Sequence, residues 1–192
     1  MAAPPGIGEA IGEGWKAYKA NLVPGLIAFF CAGLLGLIPI VGGLLAMPGF
    51  ANVALKLVRG QKPEPADGFI IFKQSVVDHI IMVILQMIGV ILCGFGQLIT
   101  QPLFFQGTYL ILDKGMKWGE AKDKCMAEIK PNLMGWVIFC FVLSIVAFLG
   151  VIACVVGVFI TGPIAMCGMA YAYEKTLGGG GGGGAAAAPA KA

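Results

Sequence analysis

The chain has 192 residues, 58% of them hydrophobic and only 12% charged, with a formal net charge of +3. That is about half the charge density of an ordinary soluble domain, which points to a bilayer rather than water as the solvent. A net charge this small gives no reason to expect nucleic acid as a partner.

Met1 to Gly14 carries Glu9 and Glu13, no basic residue and no long apolar core, so no signal peptide is expected. Ile7, Ile11, Trp15, Tyr18 and Leu22 recur at spacings of four, four, three and four, one face of a helix. Glu9 and Glu13 come early and Lys16 and Lys19 late, matching the helix dipole. The segment reads as a short helix lying in the membrane interface, or as an extension of the first spanning helix into water.

Leu22 to Leu57 is an apolar block broken by Pro39 and by Gly42 and Gly43. A single helix of that length is too long for a hydrocarbon core of about 30 Å, so the block predicts a hairpin with arms of about 16 residues, or about 24 Å each. Lys56, Arg59 and Lys62 return the chain to the starting side. A second amphipathic segment follows, with Phe69, Phe72 and Val76 at spacings of three and four, and then a second hairpin from Val76 to Leu112. Past Asp113, Lys114 and Gly115, a third amphipathic helix presents Trp118, Ala121, Cys125 and Ile129 on its apolar face, with Glu120 placed to pair with Lys124. The third hairpin ends near Tyr173. Its returning arm carries a ladder of small residues, Gly157, Thr161, Ala165, Gly168 and Ala172, which suits close packing of helices in lipid.

The three units share one pattern. From Asn21 to Gly42, Ser75 to Gly96 and Asn132 to Gly157 is 21, 21 and 25 residues, and from each glycine to Pro48, Pro102 and Pro163 is 6. The expected fold is therefore an all-α membrane protein of six transmembrane or deeply inserted helices, arranged as three tandem repeats of interfacial helix plus helical hairpin. It forms a single membrane domain over 1–177, with repeats at about 7–60, 66–115 and 117–177, and a disordered Gly/Ala-rich tail over 178–192. All 13 Lys and Arg lie at the amino terminus, between hairpins or after the last one, and the tips near Pro39, Phe95 and Gly157 are uncharged. The positive-inside rule then puts both termini in the cytoplasm of an inner-membrane, multi-pass protein. Cys93 and Cys154 would meet at neighbouring tips.

The interfacial helix, the apolar hairpin and the junction from Asp113, Lys114 and Gly115 to Trp118, Gly119, Glu120 and Ala121 resemble a broad group of bacterial multi-pass membrane proteins of unknown function. They are similar to the membrane domain attached to some glycerophosphodiester phosphodiesterases. The resemblance implies a membrane fold and supplies no catalytic residue.

Candidate chemistry is sparse. Asp78 and His79 sit at the start of the third spanning arm, where an ionisable group is a functional suspect. Asp78 also has a structural reading, facing lipid headgroups or pairing with Lys73 or Lys56. Gln86, Gln97, Gln101 and Thr108 are neutral polar residues, of which Gln97, Gln101 and Thr108 share a helical face. They read as interhelical hydrogen-bonding groups or as a polar path for a neutral cargo. None of the six cysteines forms a Cys-x-x-Cys pair and His79 is the only histidine, so no metal site or cofactor is expected. Ser75 and Ser144 have no base placed for them, which argues against an enzyme. The leading expectation is a non-enzymatic accessory or scaffolding subunit of a membrane assembly, whose partners are membrane lipids and other membrane-protein subunits. The alternative is a small transporter or lipid-handling protein for a neutral or lipid-like cargo. A dry, filled centre between the hairpins would favour the first, and a wet or greasy cavity open to one side the second.

Overall fold

The structure, a computed structural model, describes residues 3–38, 42–72, 76–91, 95–152 and 154–178. Pro39, Lys73, Ser75, Cys93 and residues 179–192 lie outside the described residues, as does the side chain of Cys154, and with them the turn at Pro39, the Lys73 pairing, the tip-to-tip cysteine contact and nearly all of the tail. All regular structure among the described residues is helical. It comprises α1 (Ile7–Ala20), α2 (Leu22–Gly36), α3 (Gly42–Val58), a 3₁₀ segment (Pro65–Phe72), α4 (Val76–Ile91), α5 (Phe95–Lys114), α6 (Trp118–Ile129), a 3₁₀ turn (Lys130–Asn132), α7 (Leu133–Ile152) and α8 (Cys154–Thr176).

The helices pair as α2 with α3, α4 with α5 and α7 with α8. In each pair a glycine meets backbone at the uncharged end. A Cβ on Gly42 would lie 2.7 Å from the Gly36 carbonyl oxygen, one on Gly89 2.6 Å from the Gly96 carbonyl carbon, and one on Gly150 2.6 Å from the Gly157 carbonyl oxygen. Only glycine permits such an approach. At the other end, Gly60 and Gly115 take positive φ (71° and 60°) and close α3 and α5.

The helices α3, α5 and α8 touch one another and form the centre, while α2, α4 and α7 lie outside them. Large apolar side chains of the outer three point away from the protein, among them Phe30, Ile84 and Phe148. The amphipathic segments pack sideways in a regular order: α1 across α7 and α8, the 3₁₀ segment across α2 and α3, and α6 across α4 and α5.

The residues that mark the apolar faces of these segments divide, most of them packing against the core and the large aromatic ones at Trp15, Phe72 and Trp118 staying exposed. In α1 Ala10, Gly14 and Tyr18 are buried and Ile7 and Ile11 pack against the core, while Trp15, and Leu22 at the start of α2, are exposed. In the 3₁₀ segment Gly68 and Ile71 are buried, and Phe72 is 64% exposed. In α6, Ala121, Cys125 and Ile129 are buried as expected, but Trp118 is exposed. Small residues decide the contact because they let backbones approach: a Cβ on Gly14 would lie 2.8 Å from the Ile164 carbonyl oxygen. Glu9 reinforces this seam, since Lys175 and Tyr171 of α8 hydrogen-bond its carboxylate and hold its pKa below the ordinary range.

The third unit differs from the first two. The axes of α1 and α2 meet at 100°, and those of the 3₁₀ segment and α4 at 90°. Trp118–Gly150, by contrast, runs on as one helix of 33 residues. Asn21 leaves helical geometry (φ −131°, ψ 49°), whereas Lys130 keeps it (φ −53°, ψ −39°). Pro131 sits at the start of the 3₁₀ turn, where proline is tolerated. Trp118–Gly150 is the one helix among the described residues long and apolar enough to cross a membrane; there are up to three if each bent pair counts as one span.

Pro48, Pro102 and Pro163 lie inside α3, α5 and α8. A helix-interior proline deprives the carbonyl four residues earlier of its donor. For Pro163 that carbonyl belongs to Phe159, and the Tyr18 hydroxyl of α1 donates to it at 2.9 Å. Tyr18→Phe is therefore expected to cost about 1–2 kcal/mol, the penalty for an unsatisfied buried acceptor. Denaturation in mild detergent measures it, and an unchanged midpoint would mean that another donor reaches Phe159.

Candidate functional site

A cavity of about 460 Å³ lies between the central helices, away from their charged ends. Met47 and Phe50 of α3, Gln101 and Phe105 of α5 and one face of α8 from Phe159 through Gly162 and Met166 to Met169 form its walls, completed by Phe29 and Gly33 of α2 and by Leu143, Ser144 and Ala147 of α7. Among the described residues the lining contains no ionisable side chain. Ser144 donates to the Cys140 carbonyl at 2.8 Å within its own helix, leaving Gln101 as the principal polar group on the wall. Such a space suits hydrocarbon and offers nothing to offset a buried charge.

A column of side chains runs from this cavity to the charged end of the bundle. Phe105, on the cavity wall, meets Tyr109 edge to face at 5.6 Å, and Tyr109 stacks on Tyr173 at 5.2 Å. Tyr109 donates to the Met166 carbonyl at 3.3 Å, and the Tyr173 hydroxyl donates to Asp113 Oδ2 at 2.9 Å. Asp113 Oδ1 accepts Arg59 Nη2 at 2.6 Å, and Arg59 Nε donates to Glu174 Oε1 at 2.5 Å. Burial opposes the charge on Arg59, but Asp113 and Glu174 together outweigh it and raise its pKa further above the usual range.

Arg59, Asp113 and Glu174 each stand eleven residues past the proline of their helix, Pro48, Pro102 and Pro163. The triad thus joins one residue from the same register of α5, α8 and the end of α3, with Arg59 standing one residue past Val58. The signal was present in the sequence, because counting from the prolines aligns three ionisable residues.

The polar residues singled out from the sequence are dispersed. Gln101 lines the cavity. Asp78 accepts the Trp118 backbone N–H at 3.1 Å and fastens the start of α6 to α4. Lys56, offered as a partner for Asp78, pairs with Asp67 at 2.7 Å. His79 and Thr108 are buried, as is Gln86, and the Gln97 Oε1 atom is buried without a hydrogen-bond partner. Gln106, not singled out from the sequence, is fully buried with neither amide atom paired. Two further threonines hold the helix pairs together: Thr100 donates to the Gln86 carbonyl at 2.9 Å and Thr161 to the Ala147 carbonyl at 3.1 Å, each fourteen residues back. Glu120 is not an ion-pair partner of Lys124 among the described residues, where Lys122 pairs with Asp123 at 3.2 Å. No group of three or more metal-ligating side chains occurs among the described residues.

No protein-family model matches this chain, and neither does any curated protein or solved structure.

Proposed function

We propose that this chain is a non-catalytic, multi-pass inner-membrane protein that handles a lipid-like cargo in the cavity at the centre of three repeated hairpins, with both termini cytoplasmic. The observation that carries the reading is the apolar cavity of about 460 Å³, within the range of roughly 300–1,000 Å³ typical of ligand pockets. A filled centre would have favoured the accessory-subunit reading; a greasy one favours lipid handling.

Three features support the membrane arrangement. The outer helices α2, α4 and α7 expose apolar faces that a bilayer would cover. Trp15, Phe72 and Trp118 are exposed on the three amphipathic segments, as expected of aromatic residues at a membrane interface. At 20, 20 and 23 residues, α5, α7 and α8 reach about 30–35 Å, a length that matches the hydrocarbon core, while α2 and α3 at 15 and 17 residues reach only about 22–26 Å and suit deep insertion. The repeat reading is supported by the glycine closures, by the threonine bonds of the second and third pairs, and by the sideways packing of each amphipathic segment on a neighbouring pair: the second and third on the pair before them, and α1 on the last.

Native mass spectrometry of protein purified in mild detergent is expected to find lipid retained on the chain after delipidating washes. A lipid-free chain that takes up none on reconstitution would remove the cargo reading. For topology, single cysteines at Gln61 and Lys117, in a background without native thiols, should resist an impermeant thiol reagent in intact cells. Labelling from outside would reverse the orientation.

A further inference from the structure

The cavity is closed toward the basic end by two successive layers. The nearer is the ring pair Tyr109 and Tyr173, and the farther is the Arg59, Asp113 and Glu174 triad, joined to the rings by the bond from Tyr173 to Asp113. Along this column, from Phe105 on the wall to the charged end, every step is a ring contact, a hydrogen bond or an ion pair. The arrangement is a stopper and not a path, since a passing hydrocarbon would have to separate three ionised groups.

The opposite flank is built differently. Between α2 and α8, Gly33 and Gly162 supply no side chain; a Cβ on Gly162 would have nothing within 4 Å, and one on Gly33 would meet only Phe50 at 3.9 Å. Phe30, half exposed on the outer face of α2, meets Phe159 across this flank at 6.2 Å. The flank therefore faces whatever covers the apolar outside of α2, which in a membrane is the acyl chains of bilayer phospholipids. Met47, Met166 and Met169 give the interior an adaptable lining suited to a flexible chain.

We infer that the cavity is a blind pocket for one acyl chain of a bilayer phospholipid, which enters between α2 and α8 while its headgroup stays outside, and that the Arg59, Asp113 and Glu174 triad seals the pocket from the basic side. This rests on the lipid-handling reading and adds to it the ligand class, the route and the closed end. A headgroup cannot follow the chain inward, because the lining has no ionisable group to receive its charge. The pocket thus holds a lipid in place and does not conduct one through.

Two experiments test the pocket and the seal separately. Full-length protein is delipidated, reconstituted into dioleoyl phosphatidylcholine vesicles, re-extracted and weighed by native mass spectrometry. The wild type should retain one phospholipid mass per chain. Gly162→Leu, which adds a side chain into open space, should reduce that retention at least tenfold. Gly12→Leu, at another site with nothing within 4 Å, should leave it unchanged. Full retention in Gly162→Leu would place the lipid elsewhere and overturn the cavity reading itself, and a retained free fatty acid in place of phospholipid would overturn the assigned ligand.

For the seal, a thiol introduced as Gly162→Cys in a cysteine-free background should resist a charged methanethiosulfonate applied from the basic side. Adding Arg59→Ser should speed labelling at least tenfold, and the exchange Arg59→Glu with Asp113→Arg should restore protection. Rapid labelling with the triad intact would mean an open path and would overturn the seal while leaving retained phospholipid, and so the lipid reading, standing. Protection that survives Arg59→Ser would remove the triad from the seal. If Arg59→Ser does not accumulate, the arm with the intact triad still decides whether the basic side is closed.

Discussion

Arg59→Ala is expected to destabilise the bundle by about 2–3 kcal/mol, because it leaves two carboxylates from adjacent helices facing each other without their common cation. Removing one partner of a fully buried ion pair costs about 3–5 kcal/mol, whereas exposed pairs contribute about 0–1. The side chains of Arg59, Asp113 and Glu174 are 35%, 14% and 29% exposed, so the expected cost lies between those limits and nearer the upper one for Asp113. Repulsion between the two acids adds to it, since they belong to different helices that the guanidinium joins. Neutralising all three groups together, as Arg59→Met, Asp113→Asn and Glu174→Gln, should cost much less than Arg59→Ala alone. Denaturation midpoints in mild detergent, read at low and high salt, measure both variants. A loss below about 0.5 kcal/mol for Arg59→Ala, or one abolished by moderate salt, would show a solvated pair of the ordinary surface kind.

The triad also shows which parts of this molecule can be read in one dimension. Hairpin punctuation was legible because each signal has a local cause. Gly42, Gly96 and Gly157 each take part in a backbone approach, and Pro48, Pro102 and Pro163 each sit inside the returning helix. The packed face of α1 was legible in part: Ile7, Ile11 and Tyr18 do pack inward, but periodicity weights the exposed Trp15 heavily and Gly14 hardly at all, whereas contact with α8 depends on Gly14. In the second segment Phe69 and Val76 pack against the core, but Phe72 is exposed and the closest backbone contact falls to Gly68. In the third segment Ala121, Cys125 and Ile129 are both apolar and compact, and there the pattern and the structure agree.

The charges of the triad were hidden by their position. Each lies at a helix end facing the basic side, where a solvated residue is the ordinary expectation, and only the shared offset from the prolines marks them as a set. Nothing local reveals the cavity, since a void is set by how several helices fail to fill a shared space. Nor does anything local show that Lys130 keeps helical geometry where Asn21 abandons it, although the longer spacing from Asn132 to Gly157 already set the third unit apart.

Gly49→Val is expected to be among the most damaging single changes in the chain, costing about 3 kcal/mol or more. A Cβ at position 49 would overlap the carbonyl oxygen of Gly68 and approach the Ala32 Cβ to 3.1 Å. Gly68 has no room to retreat, since a Cβ of its own would lie 2.7 Å from the Ala32 nitrogen and 2.8 Å from the Ala28 oxygen, so the 3₁₀ segment already rests directly on the backbone of α2. The segment is also clipped to α3 from the side. Asn52 Nδ2 donates to the Asp67 carbonyl at 3.0 Å, Lys56 pairs with the Asp67 carboxylate at 2.7 Å, and the Glu64 N–H donates to that carboxylate at 2.7 Å. Overpacking usually costs about 1–3 kcal/mol because flexible side chains give way, but here the opposing atoms are backbone on both sides. Gly43→Val, in the same helix with open space around it, should cost no more than about 0.5 kcal/mol and controls for the branched side chain. The clip also makes the effect non-additive. Asn52→Ala frees the segment to move, so the double variant Gly49→Val with Asn52→Ala should lose less stability than the two single changes together, with a coupling of about 1 kcal/mol. Strict additivity in detergent denaturation would mean that the segment yields to the new side chain without help, and that the contact between Gly49 and Gly68 is less rigid than its geometry implies.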